Sequence, residues 1–187
     1  MLVARSVRLD RSKAVVVVID VQERLVPAIE PGALARVLKY AKALVGTAKE
    51  MGIPVIGTEQ YPKGLGPMVK EITDLLPSPA LPKVTFSCGA DDGFAKALAA
   101  TGRKQVIVTG METHVCVFQT VRDLCAGGYE VHLCADAVAS RTDLHRTTGI
   151  ELMREVGAIV TTAETVIFDL LHQAGTPEFK KVSPLVK

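Results

Sequence analysis

The sequence predicts an α/β domain built on a mainly parallel, six-stranded sheet with helices on both faces. Three observations carry that reading. Two hydrophobic periods alternate along the chain, one suited to strands and one to helices. The strand-like runs are continuously apolar and β-branched, as expected for strands buried on both faces. The chain has 187 residues, 48% of them hydrophobic, which is the length of one domain (1–187) with enough apolar surface to cover such a sheet.

Taken in order, the strands read as "AVVVVI" (14–19), "IPVIG" (53–57), "VTF" (84–86), "QVIVTG" (105–110), "YEVHLC" (129–134) and "AIVTT" (158–162). Between the first two, Leu34, Val37, Leu38, Ala41, Leu44, Val45 and Ala48 follow helical spacing, and "MG" (51–52) closes that helix. Val117, Thr120, Val121, Leu124, Cys125 and Gly128 repeat the pattern and stop at "GG" (127–128). Further helical patterns cover 93–101, 143–156 and 164–173. The Gly- and Pro-rich stretches "EQYPKGLGPM" (59–68) and "LPSPALP" (76–82) read as loops.

Composition narrows the function classes. The net charge is only +2, and no basic cluster with interleaved aromatics occurs, so neither nucleic acid nor an anionic membrane is an expected partner. The longest apolar run, "AVVVVI", is far too short to span a bilayer. No apolar stretch of signal-peptide length precedes Asp10. Cys88, Cys116, Cys125 and Cys134 show no CxxC spacing, so reduced thiols in the cytoplasm are the expected setting. The high apolar content also points to burial between subunits, hence to a homo-oligomer.

In parallel α/β sheets, ligands sit beyond the carboxyl ends of the strands. That rule singles out Asp20, Glu59, Ser87, Cys88, the stretch 110–116 and Asp136. Asp20 ends a β-branched run and reads either as a loop-fixing cap or as a working acid/base. Lys83 in "LPKVTFS" reads either as a solvated edge charge or as a cation aimed into the cleft. Cys116 falls in the first turn of the helix after strand four, roughly 110° from the centre of the apolar stripe. A cysteine so placed has the setting of an acidified nucleophile, whereas most free cysteines are small buried hydrophobes.

His114 is about 200° from Cys116 on a helix, so a His–Cys dyad or joint metal ligation through this pair is not expected. It reads as a rim or interface residue. All four histidines lie on different elements without metal-binding spacing, so no metal or other cofactor is expected, a carboxylate-only ion site being left open.

Taken together, "VVVIDVQ" with Asp20, "LPKVTFS" with Lys83 and "GMETHVCV" with Cys116 resemble the isochorismatase-like cysteine hydrolase superfamily, which includes nicotinamidases and N-carbamoylsarcosine amidases. The likeness extends through "GIPVIGTEQYPKGLG" and "CADAVASR", which look most like the isochorismatase-domain-containing subgroup.

The resemblance implies a doubly wound sheet in the order 3-2-1-4-5-6 and a catalytic triad of Asp20, Lys83 and Cys116. It further implies a cis peptide at Met111–Glu112, an oxyanion hole from the amides of Glu112 and Cys116, and a pocket lined by Gln22, Leu25 and Val115. The implied activity is hydrolysis of a small amide, carbamoyl or related C–N substrate through a covalent thioester-type intermediate. Two departures shape that expectation. Nicotinamidases hold a metal with histidines after strand two, where "TEQYPKGLG" has none. Isochorismatases that cleave a vinyl ether lack the cysteine present here. The alternative is a catalytically silent binding or scaffold protein that keeps the fold; a thiol that mainly senses oxidant is a third reading.

Overall fold

A computed structural model describes residues 7–187. The reading of the N-terminal stretch therefore falls partly on residues 1–6, outside the described residues. The six strands are β1 (Ala14–Ile19), β2 (Val55–Gln60), β3 (Leu81–Lys83), β4 (Gln105–Met111), β5 (Glu130–Ala139) and β6 (Ile159–Thr161). They form one sheet in the order β3-β2-β1-β4-β5-β6, with every neighbouring pair parallel. The order reverses between β1 and β4, which makes their carboxyl ends the switch point of a doubly wound sheet.

The helices are α1 (Pro31–Met51), α2 (Pro62–Leu65), α3 (Lys70–Thr73), α4 (Asp92–Ala100), α5 (Phe118–Ala126), α6 (Asp143–Glu155), α7 (Ala163–Leu171) and α8 (Pro177–Val182). Strand residues point alternately to the two faces, and β1 divides accordingly. Val16 and Val18 pack with α1 and α7, whereas Val15, Val17 and Ile19 pack with α4, α5 and α6. All six β1 residues are buried, which explains the unbroken apolar run.

Three strands differ from the sequence reading, and α2 falls within the stretch 59–68 that reads as a loop. β3 covers Leu81–Lys83 rather than 84–86; it is an edge strand, where Pro82 is tolerated because its missing N–H breaks no ladder. Val84 and Phe86 lie instead on an exposed loop, at 75% and 54% exposure. β2 runs on to Gln60, and β5 continues to Ala139 through an irregularity in its pairing with β4. There Thr109 donates to the Ala137 carbonyl at 2.6 Å.

Gly110 on β4 has φ +131°, and a Cβ there would lie 2.0 Å from the Ile19 carbonyl oxygen. Only glycine allows β1 and β4 to approach so closely where Asp20 leaves the sheet.

Candidate active site

Strand register assembles the site. Ile19 pairs with Gly110 on β4 and with Thr58 on β2, while Gln60 pairs with Lys83 on β3. Asp20, Thr58, Gln60 and Lys83 therefore meet at the carboxyl edge, all buried. Asp20 adopts φ +50°, a left-handed conformation that is uncommon for a residue with a Cβ and marks a candidate functional position. Its backbone N–H donates to the Thr58 carbonyl at 3.1 Å. One carboxylate oxygen accepts from Thr58 Oγ1 at 2.7 Å and the other from Lys83 Nζ at 2.6 Å.

Lys83 Nζ also donates to Gln60 Oε1 at 2.8 Å and to the carbonyls of Phe86 and Thr85 at 3.1 and 3.3 Å. A buried ammonium is tolerated only with partners on this scale. Of the two readings open for Lys83, the structure has the cation turned inward.

Gln22 is fully buried, and its amide is committed to backbone. Its Oε1 accepts from Gln60 N at 2.7 Å, and its Nε2 donates to the carbonyls of Gln60 and Gly66 at 3.0 and 2.7 Å. It thus fixes Gln60, which in turn holds Lys83. Leu25 is half-buried against the α1 side of the core, and Val115 is half-buried on the opposite side. The Glu112 carboxylate accepts from Arg141 Nε at 2.9 Å, so its side chain is engaged away from the Asp20 cluster. The Met111–Glu112 peptide is cis.

Between β4 and α5 the chain makes a π-helical turn, Thr113–Val117. The Glu112 carbonyl accepts from the amides of Val115 and Val117, at 3.1 and 3.2 Å, which flank that of Cys116. This turn corrects the expected position of Cys116 in the first turn of a regular helix. Its wider winding changes the angular phase between Cys116 and the α5 stripe, and the side chain is buried at 5% exposure.

Of the two settings open for the Cys116 thiol, the structure has it buried and not acidified. Burial pushes the Cys116 thiol well up from its ordinary range, and the negative charge of nearby Asp20 adds to the rise. Lys83 pulls the other way. The site therefore holds a neutral thiol beside its carboxylate neighbour.

Cys88, singled out by its place after strand three but given no role there, is also here. Its sulfur is 3.7 Å from Thr58 Oγ1, and its amide donates to Thr120 Oγ1 at 2.9 Å. Burial raises its thiol to about 11. Thr58 and Gln60 were missed too, although their alternation along β2 places both on one face at the carboxyl edge. Glu59, on the other face, accepts from Met68 N at 2.7 Å and braces the loop.

His114 turns to α6: its Nδ1 is 3.0 Å from Ser140 Oγ, and its ring stacks on His145 at 4.4 Å. Among the described residues, no group of three or more His, Cys, Asp or Glu side chains is arranged to hold a metal ion. A cleft of about 360 Å³ opens beside Lys83, lined by Tyr61, Pro62, Lys63, Pro82, Val84 and Asp91.

The raised thiols couple to stability. Cys88, Cys116 and Cys134 all hold their protons more tightly than the ordinary value of 9.0. In this range the unfolded chain binds fewer protons than the folded one, so stability falls as pH rises. The contribution is complete below about pH 9 and is lost as pH climbs through about 11 at Cys88. Urea unfolding at pH 8, 9.5 and 10.5 should show a falling midpoint, with a shallower fall in Cys116→Ala. A midpoint that is flat in both proteins counts against the buried thiols.

A doubly wound parallel sheet with buried polar groups gathered at its switch point defines an α/β protein with a candidate site at the carboxyl edge of its strands. The chain belongs to the isochorismatase family: the isochorismatase domain matches residues 14–165. It is similar to isochorismatase domain-containing protein 1 of Salmo salar, at 38% identity over 90% of this chain. The chain spans 59% of that relative's length.

Among solved structures, the MAR1 ribonuclease of Caenorhabditis elegans superposes with a TM-score of 0.89 at 34% identity, covering 96% of this chain and 92% of that one. The YcaC gene product of Escherichia coli, described as an octameric hydrolase of unknown specificity, gives a TM-score of 0.90 at 27% identity, covering 98% and 91%. No helix among the described residues is long and apolar enough to cross a membrane.

Proposed function

We propose that the chain is a metal-independent cysteine hydrolase acting on a small amide, carbamoyl or related C–N compound. The observation that carries this reading is the buried Asp20 carboxylate, one oxygen held by Thr58 and the other by Lys83, with the Cys116 thiol near enough to feel its charge. Because the resting thiol is neutral, Asp20 takes its proton as the sulfur attacks the carbonyl carbon.

The amides of Glu112 and Cys116 receive the oxyanion. The C–N bond then breaks, and Asp20 returns the proton to the departing amine. Water, deprotonated by Asp20, cleaves the thioester to release the acid and restore the thiol. Lys83 balances the negative charge shared by Asp20 and the sulfur, and Thr58, Gln60 and Gln22 keep both charges in place.

Leu25 and Val115 supply apolar pocket wall, and with Tyr61 and Val84 at the cleft mouth they favour a compact, partly apolar substrate. A net charge of +2 gives no general attraction for a polyanion, so a small acyl compound is preferred to the RNA that the nematode neighbour's name brings to mind. Assembly into a homo-oligomer, as described for the E. coli neighbour, completes the reading.

The test is a panel of small amides, carbamates and ureides assayed for ammonia or amine release, with rapid-quench intact mass measured in parallel. At least one compound should turn over and leave an acyl mass on the Cys116 peptide. Release of amine with the acyl group on no cysteine, or a panel wholly inert while compounds still raise Tm, would favour the silent binding protein.

A further inference from the structure

A second concave site lies on the same carboxyl edge, on its β5 side. It is a cavity of about 270 Å³ between the start of α1 and the turn from β5 into α6. Three guanidinium groups face it, from Arg36, Arg141 and Arg146. Arg146 is anchored by hydrogen bonds to the carbonyls of Val138 and Ala135, which fixes its charge at the cavity wall. The charge of Arg36 reaches Glu30 and Asp136, and it loosens the hold of Arg146 on its proton, second only to burial. Arg141 is half-exposed and tied to Glu112 at 2.9 Å.

Glu30 and Asp143 share the cavity wall and offset part of this charge, but each carboxylate is also engaged elsewhere or held apart. Both Glu30 oxygens accept from the amides of Gly32 and Ala33, at 2.9 and 2.8 Å, capping α1. Asp143 is 89% exposed and 3.9 Å from Arg146. Asp136, on β5, accepts from the amide of Ala163 at 2.8 Å. Like charges facing one another across a small cavity are relieved by an anion, and guanidinium forks match the oxygens of phosphate.

We propose that this cavity binds a small tetrahedral oxyanion, the phosphate group, between Arg36, Arg141 and Arg146. Its volume lies just below that of pockets for drug-sized ligands, so it takes the phosphate itself and leaves any attached group in solvent. The site rests on no step of the cysteine chemistry. It touches that chemistry only through Arg141, which also holds the residue opening the Cys116 turn.

The experiment follows thermal unfolding of the full chain against inorganic phosphate and against glycerol 3-phosphate, with sodium chloride at matched ionic strength as reference. At about five times its Kd, phosphate should raise Tm by about 2–4 °C in a saturable way that chloride does not reproduce. Arg36→Ala should keep its unliganded Tm and bind phosphate at least about fivefold more weakly. An equal rise in chloride, or an unchanged phosphate response in Arg36→Ala, overturns the proposal. Binding of both phosphate compounds supports a site open to a phosphomonoester, and binding of inorganic phosphate alone supports a closed ion site.

Discussion

Cys116→Ala is expected to remain folded while losing turnover by about 10³-fold or more, the size of effect seen when a covalent nucleophile is deleted. The structural cost is small for a physical reason. The thiol is a small buried group, 5% exposed, and removing one sulfur leaves a void of methyl size, which costs about 1 kcal/mol. Folding and turnover therefore separate, and steady-state assay beside urea unfolding reads them independently. Cys116→Ser tests the same idea at nearly constant volume: the hydroxyl keeps a donor for Asp20 but is the weaker nucleophile. If Cys116→Ala turns over substrate at the wild-type rate, the covalent route is wrong, and Asp20 would have to activate water directly.

The fold was far more legible than the electrostatics of the site. Strand β1 announces itself because both its faces are buried, leaving six apolar residues in a row. Helix α1 is equally plain, since one face meets the core and the other meets water. The stretch "VTF" misled for the converse reason. Its β-branched residues have strand propensity, but pairing with β2 ends at Lys83, and Val84 and Phe86 are left to solvent.

At the site, the identities of Asp20, Lys83 and Cys116 came from their motifs, and parallel register explains how residues so distant in sequence become neighbours. The state of the thiol was not legible. Its exposure depends on a π turn that changes the phase between Cys116 and the α5 stripe, and its proton affinity depends first on that burial and then on a carboxylate almost a hundred residues away. Thr58 and Gln60 became meaningful only once the register fixed which face of β2 meets Asp20. Gln22 illustrates the same limit: the family resemblance implied a place in the pocket wall, and the hydrogen bonds that fasten it to the backbone of Gln60 and Gly66 could not be read from the sequence.

Lys83→Met should be the most destabilising single change at the site. Lys83 and Asp20 form a 2.6 Å ion pair whose side chains are 1% and 0% exposed. Removing one partner of a buried pair leaves an uncompensated charge and typically costs about 3–5 kcal/mol. Methionine nearly conserves volume, so the loss is electrostatic rather than a cavity effect. Activity should fall in the same variant, because nothing then balances the charge that Asp20 and the sulfur share.

The double variant Asp20→Asn/Lys83→Met separates the two effects. With no charge left to bury, it should recover much of the lost stability while staying inactive for want of a base. Recovery should be incomplete, because Gln60 Oε1 and the Phe86 carbonyl lose the ammonium that now donates to them. A double-mutant cycle by urea unfolding reads the coupling directly. Additive losses in the double variant would show that the two groups stabilise the fold independently, and the charge-balancing role assigned to Lys83 would fall with the pair.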